Sequence, residues 1–379
     1  MQYREHKKLG ISTSIFGVGL MRLPTLGGDQ SNIDLAQTTP LIHKAIDLGV
    51  NYFDTAYVYH GGYSECALAA ALKERPGDRE KIHIATKLPL RDDHAPEKWE
   101  EYLDTSLKRL GVDYVDFYLL HALNRKKWET NCDEYLAFLD KMLQKGKILY
   151  PSFSFHDDYD TFKKVIDAYD WRMAQVQFNL LDTFNQATLE GIRYAGSKNV
   201  AVVVMEPLRG GALANFVPEP VKKLYDAFPV QRSHVEWAFR YVYNQPEVKT
   251  VLSGIGTLDQ LQQNVSIFSS SAPDCMSQEE KDLIDRVRLA YESLAQIGCT
   301  GCRYCEPGCP QNIAIPDLFR GYDNACVLNT FKQYERQYKQ MVENERNASR
   351  CIECGQCESV CPQHIKIIDQ LAMLAKKYE

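Results

Sequence analysis

Between about residues 11 and 268, short runs of apolar and β-branched residues alternate with longer stretches whose apolar positions recur every three or four residues. The short runs are SIFGVGL (14–20), NYFDTA (51–56), IHIATKL (82–88), VDFYLLH (115–121), KILYPSF (147–153), MAQVQF (173–178), VAVVVM (200–205) and KTVLSG (249–254). Most lack the polar alternation of a strand with one wet face. They suit strands buried on both sides, as in a parallel sheet covered by helices. Segments 35–48, 98–110, 135–144 and 258–268 carry the helical spacing. Eight strands alternating with helices predict an α/β fold closed as a (β/α)8 TIM barrel. An open doubly wound sheet gives the same alternation, but the first loops lack its G-x-G-x-x-G turn.

After residue 268 the pattern changes. SSSAPDC (269–275) reads as a linker, and SQEE (277–280) as a capping box with Ser277 as N-cap and Glu280 reaching back. The helix that follows places Leu283, Ile284, Val287, Ala290, Tyr291 and Leu294 on one stripe, expected to dock on the barrel. Then comes an internal repeat: CTGCRYCEPGCPQNIAI from Cys299 and CIECGQCESVCPQHIKI from Cys351. The intervening NTFKQYERQYKQMVENERNAS is rich in helix formers and free of glycine and proline, so this region should be a small, mainly helical domain. The expected division is a barrel over 1–270, a linker and docking helix over 271–295, and the repeat domain over 296–379.

Composition narrows the function. With a net charge of −6 and no basic cluster, nothing draws in a phosphate backbone, so nucleic acid is not an expected partner. The longest apolar run, 200–205, is far short of the roughly 18 residues a membrane span needs, and MQYREHKKLG has no secretory pattern. A cytoplasmic protein without membrane contact is the expectation. Eight of the twelve cysteines fall in the two repeats. Cys66, Cys132, Cys275 and Cys326 are scattered singly and read as packing residues.

Three thiolates spaced C-x-x-C-x-x-C wrap one corner of an iron-sulfur cubane, and the fourth cysteine lies beyond that reach. A zinc ribbon also offers paired C-x-x-C, but it needs neither the third cysteine in register nor the C-P ending. The C-terminal domain resembles a dicluster ferredoxin, closer to the α-helical variety than to the compact βαβ one. That resemblance implies two 4Fe-4S clusters with the fourth ligands exchanged. One cluster would use Cys299, Cys302, Cys305 and Cys361; the other, Cys351, Cys354, Cys357 and Cys309. Pro310 and Pro362 would turn the chain away, and Gly301, Gly308 and Gly355 would let amides approach the sulfurs. Electron transfer is the implied task.

In the barrel, Asp54, Lys87 and His121 each fall at the carboxyl end of a successive strand, with Tyr59 five residues after Asp54. Those ends converge on the face where barrel active sites are built. A phenol is a poor acid at neutral pH until a cation stabilises its phenolate. Lys87 is the expected cation, Asp54 its anchor, His121 a hydrogen-bond partner for a substrate oxygen and Tyr59 the proton donor. NYFDTAYVYHGGYSE, ATKLP and YLLHAL resemble the catalytic segments of the aldo-keto reductase superfamily, with these four residues matching its tetrad.

The resemblance implies a nicotinamide cofactor, NAD or NADP, that delivers hydride to a small-molecule carbonyl substrate. Gly19 and Met21 match a cofactor-lining loop, and Ser154, Gln175 and Asn179 the carboxamide contacts. EPLRGG, with Pro207, Leu208 and Gly210, matches the loop over the pyrophosphate, and Asn264 closes the adenosine segment. The chain also departs from the family. Met205 stands where many members stack an aromatic ring, Gly254 and Gln260 where NADP users place Lys and Arg, and Ser152 after Pro151 where a glycine is usual.

Hydride transfer moves two electrons, whereas a cluster passes one, and no flavin motif links them. The clusters could feed single electrons to a substrate beside Tyr59, exchange them with a ferredoxin or another carrier, or mainly hold their domain together. The alternative to an enzyme is an electron-transfer protein whose barrel is a scaffold or docking module. Substrate choice would lie in loops 22–31, 124–131 and 209–232.

Overall fold

The computed structural model describes residues 1–90 and 96–379. It opens with an antiparallel hairpin, β1 (Tyr3–His6) and β2 (Ile11–Ser14), which the apolar pattern had not signalled. All eight predicted strands follow: β3 (Phe16–Gly19), β4 (Tyr52–Asp54), β5 (His83–Leu88), β6 (Val115–Leu123), β7 (Ile148–Phe155), β8 (Met173–Gln177), β9 (Ala201–Met205) and β10 (Val248–Gly254). Each pairs in parallel with its successor, and β10 pairs with both β9 and β3. The sheet is a closed barrel.

The continuous apolar runs follow from burial on both sides. Successive side chains point to opposite faces of a strand. Tyr52, Ala85, Phe117, Leu119, Met173, Ala201, Val203 and Leu252 form one buried cluster, while Phe53, Ile84, Tyr118, Leu120, Ala174, Val202 and Val204 join the larger core with the helices. Leu9 and Ile11 of the hairpin pack on the first set, and the His6 ring lies 6.2 Å from that of Phe117. The hairpin therefore plugs the amino-terminal end of the ring.

The four predicted helices are present, with caps that explain their limits. Leu35–Asp47 starts at Asp34 and Leu258–Ser269 at Thr257, each side chain accepting from an amide three residues on. Trp99–Leu110 ends at Gly111, whose φ of 66° suits the left-handed turn after a helix. Arg125–Gln144 begins ten residues before the expected 135–144, capped by Asn124, with an irregular residue at Asn131.

Two compact units result: Met1–Gly210 with Val235–Ser277, and Gly211–His234 with Gln278–Glu379. Segment 211–234, read with the barrel on sequence, clusters with the C-terminal unit instead. There the helix Glu219–Asp226 packs with Gln278–Glu292, and Arg232 pairs with Glu280 at 2.6 Å. Leu283, Ile284, Val287 and Tyr291 are buried as the stripe predicted, in a helix that groups with the second unit. The rest of that unit is helical: Ile315–Leu328, Phe331–Glu343 and Ile367–Tyr378 surround a core that includes Cys305 and Cys357.

Candidate functional site

Adjacent strands bring four chemically active side chains to one end of the barrel. Asp54 is the last residue of β4, Lys87 and His121 lie near the ends of β5 and β6, and Tyr59 sits on the turn leaving β4. Lys87 is 1% exposed, and its Nζ lies 2.8 Å from Asp54 Oδ1, 2.7 Å from the Thr55 carbonyl and 3.3 Å from the Tyr59 hydroxyl. An ammonium has three N–H donors, and here it finds three oxygens.

Electrostatics decide which forms these groups take. Burial disfavours charge on Lys87, but Asp54 and Tyr59 together outweigh it and hold the ammonium above its usual pKa. Burial pushes the Asp54 carboxyl up while Lys87 pulls it down. These tendencies oppose each other across one contact, and the ion pair prevails because only a charged amine uses all three acceptors. For Tyr59, burial raises the phenol above its ordinary value and Lys87 offsets only part of that. The expected net lowering by Lys87 is therefore reversed, and the phenol keeps its proton at neutral pH. Burial, reinforced by Lys87 and Lys127, lowers His121 to about 3, so the imidazole is neutral. Its ring stands edge-on to Tyr59, centroids 6.0 Å apart.

Sequence reasoning missed the brace beneath this site. Glu65 is fully buried, accepts from Thr86 Oγ1 at 2.7 Å and pairs with Arg109 at 3.2 Å. Arg109 also donates to the Tyr57 carbonyl at 3.0 Å, which fixes the turn carrying Tyr59. A Cβ on Gly62 would come within 2.7 Å of that guanidinium, and its φ is 98°, so glycine is required there. The spacing of Glu65 on an ordinary helix pattern carried no such signal.

The predicted cofactor contacts divide. Gln175 Oε1 is buried without a hydrogen-bond partner, and the Gln175 side chain lies close enough to Asp54 to help lower that carboxyl. Ser154 and Asn179 are engaged within the protein. Ser154 Oγ accepts from the Ala122 amide at 2.8 Å, which holds the left-handed kink just after His121. Asn179 donates to Asp182 and the Glu206 carbonyl and accepts from Leu181 and Asp182 amides. Met205 lies 3.8 Å from Gln175 Nε2, Pro207 is buried, Leu208 is half-buried, and Gly210 adopts a φ of 67°. Gly19 pairs with Asp54 and Gly254, Met21 is exposed, and Asn264 donates to Ser253 at 3.2 Å. A Cβ at Gly210 would meet the Arg22 guanidinium at 3.1 Å, and one at Gly254 the Arg22 stem at 3.3 Å. Arg22 thus spans the two predicted cofactor loops, a cation the motif comparison had not assigned.

In the second unit the cysteines sort into two hollows. Cys299, Cys302, Cys305 and Cys361 line one; Cys309, Cys351, Cys354 and Cys357 line the other; Ile315 belongs to both walls. The second hollow is otherwise lined by apolar residues, glycine and Gln311, and the first adds Thr300, Arg303 and Gln363. The repeat extends to the backbone. Left-handed residues recur at matching places: Gly301 and Glu353, Arg303 and Gly355, Asn312 and His364. Cys305 and Cys357 are each 8% exposed. Gly308, expected to share this role, has no positive φ. Among the described residues no three His, Cys, Asp or Glu side chains are arranged to hold a single metal ion. Four thiols around each hollow fit the donor set of a cubane. Asp323, also missed on sequence, accepts the backbone amides of Gln296, Ile297, Gly298 and Cys299 and so anchors the entry to the first hollow.

Residues 16–285, more than half of the chain, match the aldo/keto reductase family. The chain belongs to the aldo/keto reductase family. Residues 298–366 match a 4Fe-4S dicluster domain, so this family member is an oxidoreductase that carries such a domain. It is 28% identical to an uncharacterized oxidoreductase of Bacillus subtilis, over 68% of this chain and 89% of that one. It is 25% identical to the NADH-specific methylglyoxal reductase of Escherichia coli, over 71% and 95%. Among solved structures, the holo form of an aldo-keto reductase from Bacillus halodurans aligns with a TM-score of 0.64 and 26% identity, over 76% of this chain and 96% of that one. Among the described residues of this aldo/keto reductase, no helix is long and apolar enough to cross a membrane.

Proposed function

We propose that the protein reduces a small-molecule carbonyl with Tyr59 as the proton donor. The observation that carries this reading is the Lys87 ammonium, tied to Asp54 and the Thr55 carbonyl with its third donor on the Tyr59 oxygen. Tyr59, a neutral phenol, would protonate the carbonyl oxygen as it gains negative charge. The phenolate left behind would be met by Lys87, whose own charge Asp54 keeps in place. His121, neutral, would hydrogen-bond the same oxygen and orient the substrate. When bound, a nicotinamide would supply the hydride. Gln175 would receive its amide, Gly19 and Met21 would flank it, and the 207–210 loop with Arg22 and Asn264 would hold the phosphates and adenosine.

The eight cysteines of the dicluster domain would hold two 4Fe-4S clusters, divided as the two hollows divide them. When bound, each cluster would pass one electron at a time. A ferredoxin or similar carrier is the partner this reading calls for. Thiolates that ligate clusters must stay reduced, so a reducing cytoplasm is the place this reading calls for.

Anaerobic titration tests the reading: NADH or NADPH is added to the full protein with and without an aldehyde panel, following nicotinamide and cluster absorbance together. Aldehyde-dependent nicotinamide oxidation is expected. Failure of every carbonyl with both nicotinamides, on protein holding its iron, would favour an electron carrier with a scaffold barrel.

A further inference from the structure

At the barrel end opposite the four active side chains, the structure holds a second cavity, about 430 Å³ in volume. Its walls come from the β1–β2 hairpin, Arg172 just before β8, the end of the helix Thr188–Ser197 with the turn into β9, and the start of β10. This size matches a small-molecule site.

The cavity is cationic in a protein that is otherwise acidic. Lys7, Lys8, Arg172, Arg193 and Lys249 line it against Glu5 and Glu247, five positive side chains to two negative. Lys8 and Arg172 both pair with Asp170, which lowers their weight. Lys7 and Arg193 have no hydrogen bond or ion pair among the described residues. Lys249 Nζ reaches only the Pro246 carbonyl, at 3.2 Å.

One buried and one half-buried group register the same excess. His6 is 3% exposed and lines the cavity; its Nε2 is taken by Thr13 Oγ1 at 2.8 Å, while its Nδ1 is buried with no partner. Burial first, then the nearby Lys249, lowers His6 to about 3. Lys249 is itself lowered by burial and by Arg4 and Lys7, with Glu247 and Glu5 opposing. The Tyr194, Ala195 and Gly196 carbonyls that end the Thr188–Ser197 helix accept the amides of Lys198, Asn199 and Val200, and their partial negative charge offsets part of the cationic excess.

We propose that this cavity binds a small polyanion, a metabolite with at least two phosphate or carboxylate groups, at a site separate from the catalytic end. One anionic group would sit between Lys7 and Arg193 and the other near Lys249 and His6. An anion there would lift the mutual repulsion of the cations, so binding would stabilise the barrel and weaken with salt.

Calorimetric titration of the full protein with inorganic pyrophosphate, and separately with citrate, tests this with a saturating nicotinamide dinucleotide present so that the catalytic end is filled. One saturable site is expected, weakening as salt rises and independent of Tyr59→Phe. Which probe binds more tightly assigns the anion as phosphate or carboxylate. Arg193→Ala and Lys7→Ala, both exposed and so compatible with folding, should each weaken binding about tenfold, the worth of one partly screened charge. No saturable binding of either probe, or binding that both variants leave unchanged, would overturn the site.

Discussion

Lys87 and Asp54, from neighbouring strands, form an ion pair at 2.8 Å with both side chains removed from water. The third N–H of that ammonium ends on Tyr59. Any change in the pair therefore reaches the phenol directly.

Lys87→Met would remove the charge proposed to stabilise the phenolate, so kcat for carbonyl reduction should fall by about 10²- to 10⁴-fold. Asp54→Asn leaves a buried ammonium without its counter-charge, which costs on the order of 3–5 kcal/mol of stability as well as rate. Steady-state kinetics with parallel thermal melts separates the two effects. Equal melting but unequal activity in Lys87→Met marks its role as chemical.

The pH profile follows from two shifts. Tyr59 lies above its ordinary value of 10.0, so its acid form persists and the rate should decline only on the alkaline side of that value. His121 stays neutral down to about 3, so no limb should appear near 6.5. Stability has the opposite exposure to acid. His6 and His121 both fall from 6.5 to about 3 on folding. Between those values the unfolded chain binds more protons, so stability rises with pH, is complete above 6.5 and is lost as pH falls toward 3. Melting temperatures across pH 4 to 7.5 should show this slope, and His6→Gln should flatten it.

Exchange of the fourth ligand has its own signature. If Cys361 completes the set of Cys299, Cys302 and Cys305, then Cys302→Ser with Cys361→Ser damages one cluster and half the iron should remain. Cys302→Ser with Cys309→Ser damages both. Iron analysis and low-temperature EPR of anaerobic protein read the difference; the reverse pattern would mean each loop keeps its own fourth cysteine.

Arg22 lies across Gly210 and Gly254, where a dinucleotide's phosphates are expected. Arg22→Ala should raise the KM for the nicotinamide roughly tenfold, about 1.4 kcal/mol of one charge-assisted contact, with kcat little changed. An unchanged KM for both NADH and NADPH would remove Arg22 from the cofactor site.

Much of this architecture was legible in the chain because strands buried on both faces need uninterrupted apolar runs. VAVVVM and VDFYLLH could be little else. The hairpin Tyr3–Ser14 escaped notice because charged Arg4, Glu5, Lys7 and Lys8 dominate its pattern and the turn hides Leu9. The grouping of segment 211–234 with the second unit, although it lies inside the span that matches the family, was hidden for a different reason. Its grouping depends on Val221, Tyr225 and the Arg232–Glu280 pair, contacts between residues distant in sequence. At the site, strand ends announced Asp54, Lys87 and His121, whereas the Tyr59 pKa turned on a contest between burial and Lys87 that only packing decides. Ser154 and Asn179 match the family pattern by position, yet their hydrogen-bonding groups are already occupied by Ala122 and Asp182.

Replacing Tyr59 with phenylalanine is the sharpest probe of proton donation by this side chain, because it deletes one oxygen and leaves the ring. With the anaerobically purified protein, a reducible aldehyde and the nicotinamide it uses, Tyr59→Phe should lower kcat by at least about 10²-fold while iron content and melting temperature stay at the parent values. Carbonyl reduction at the parent rate in that variant would contradict the account.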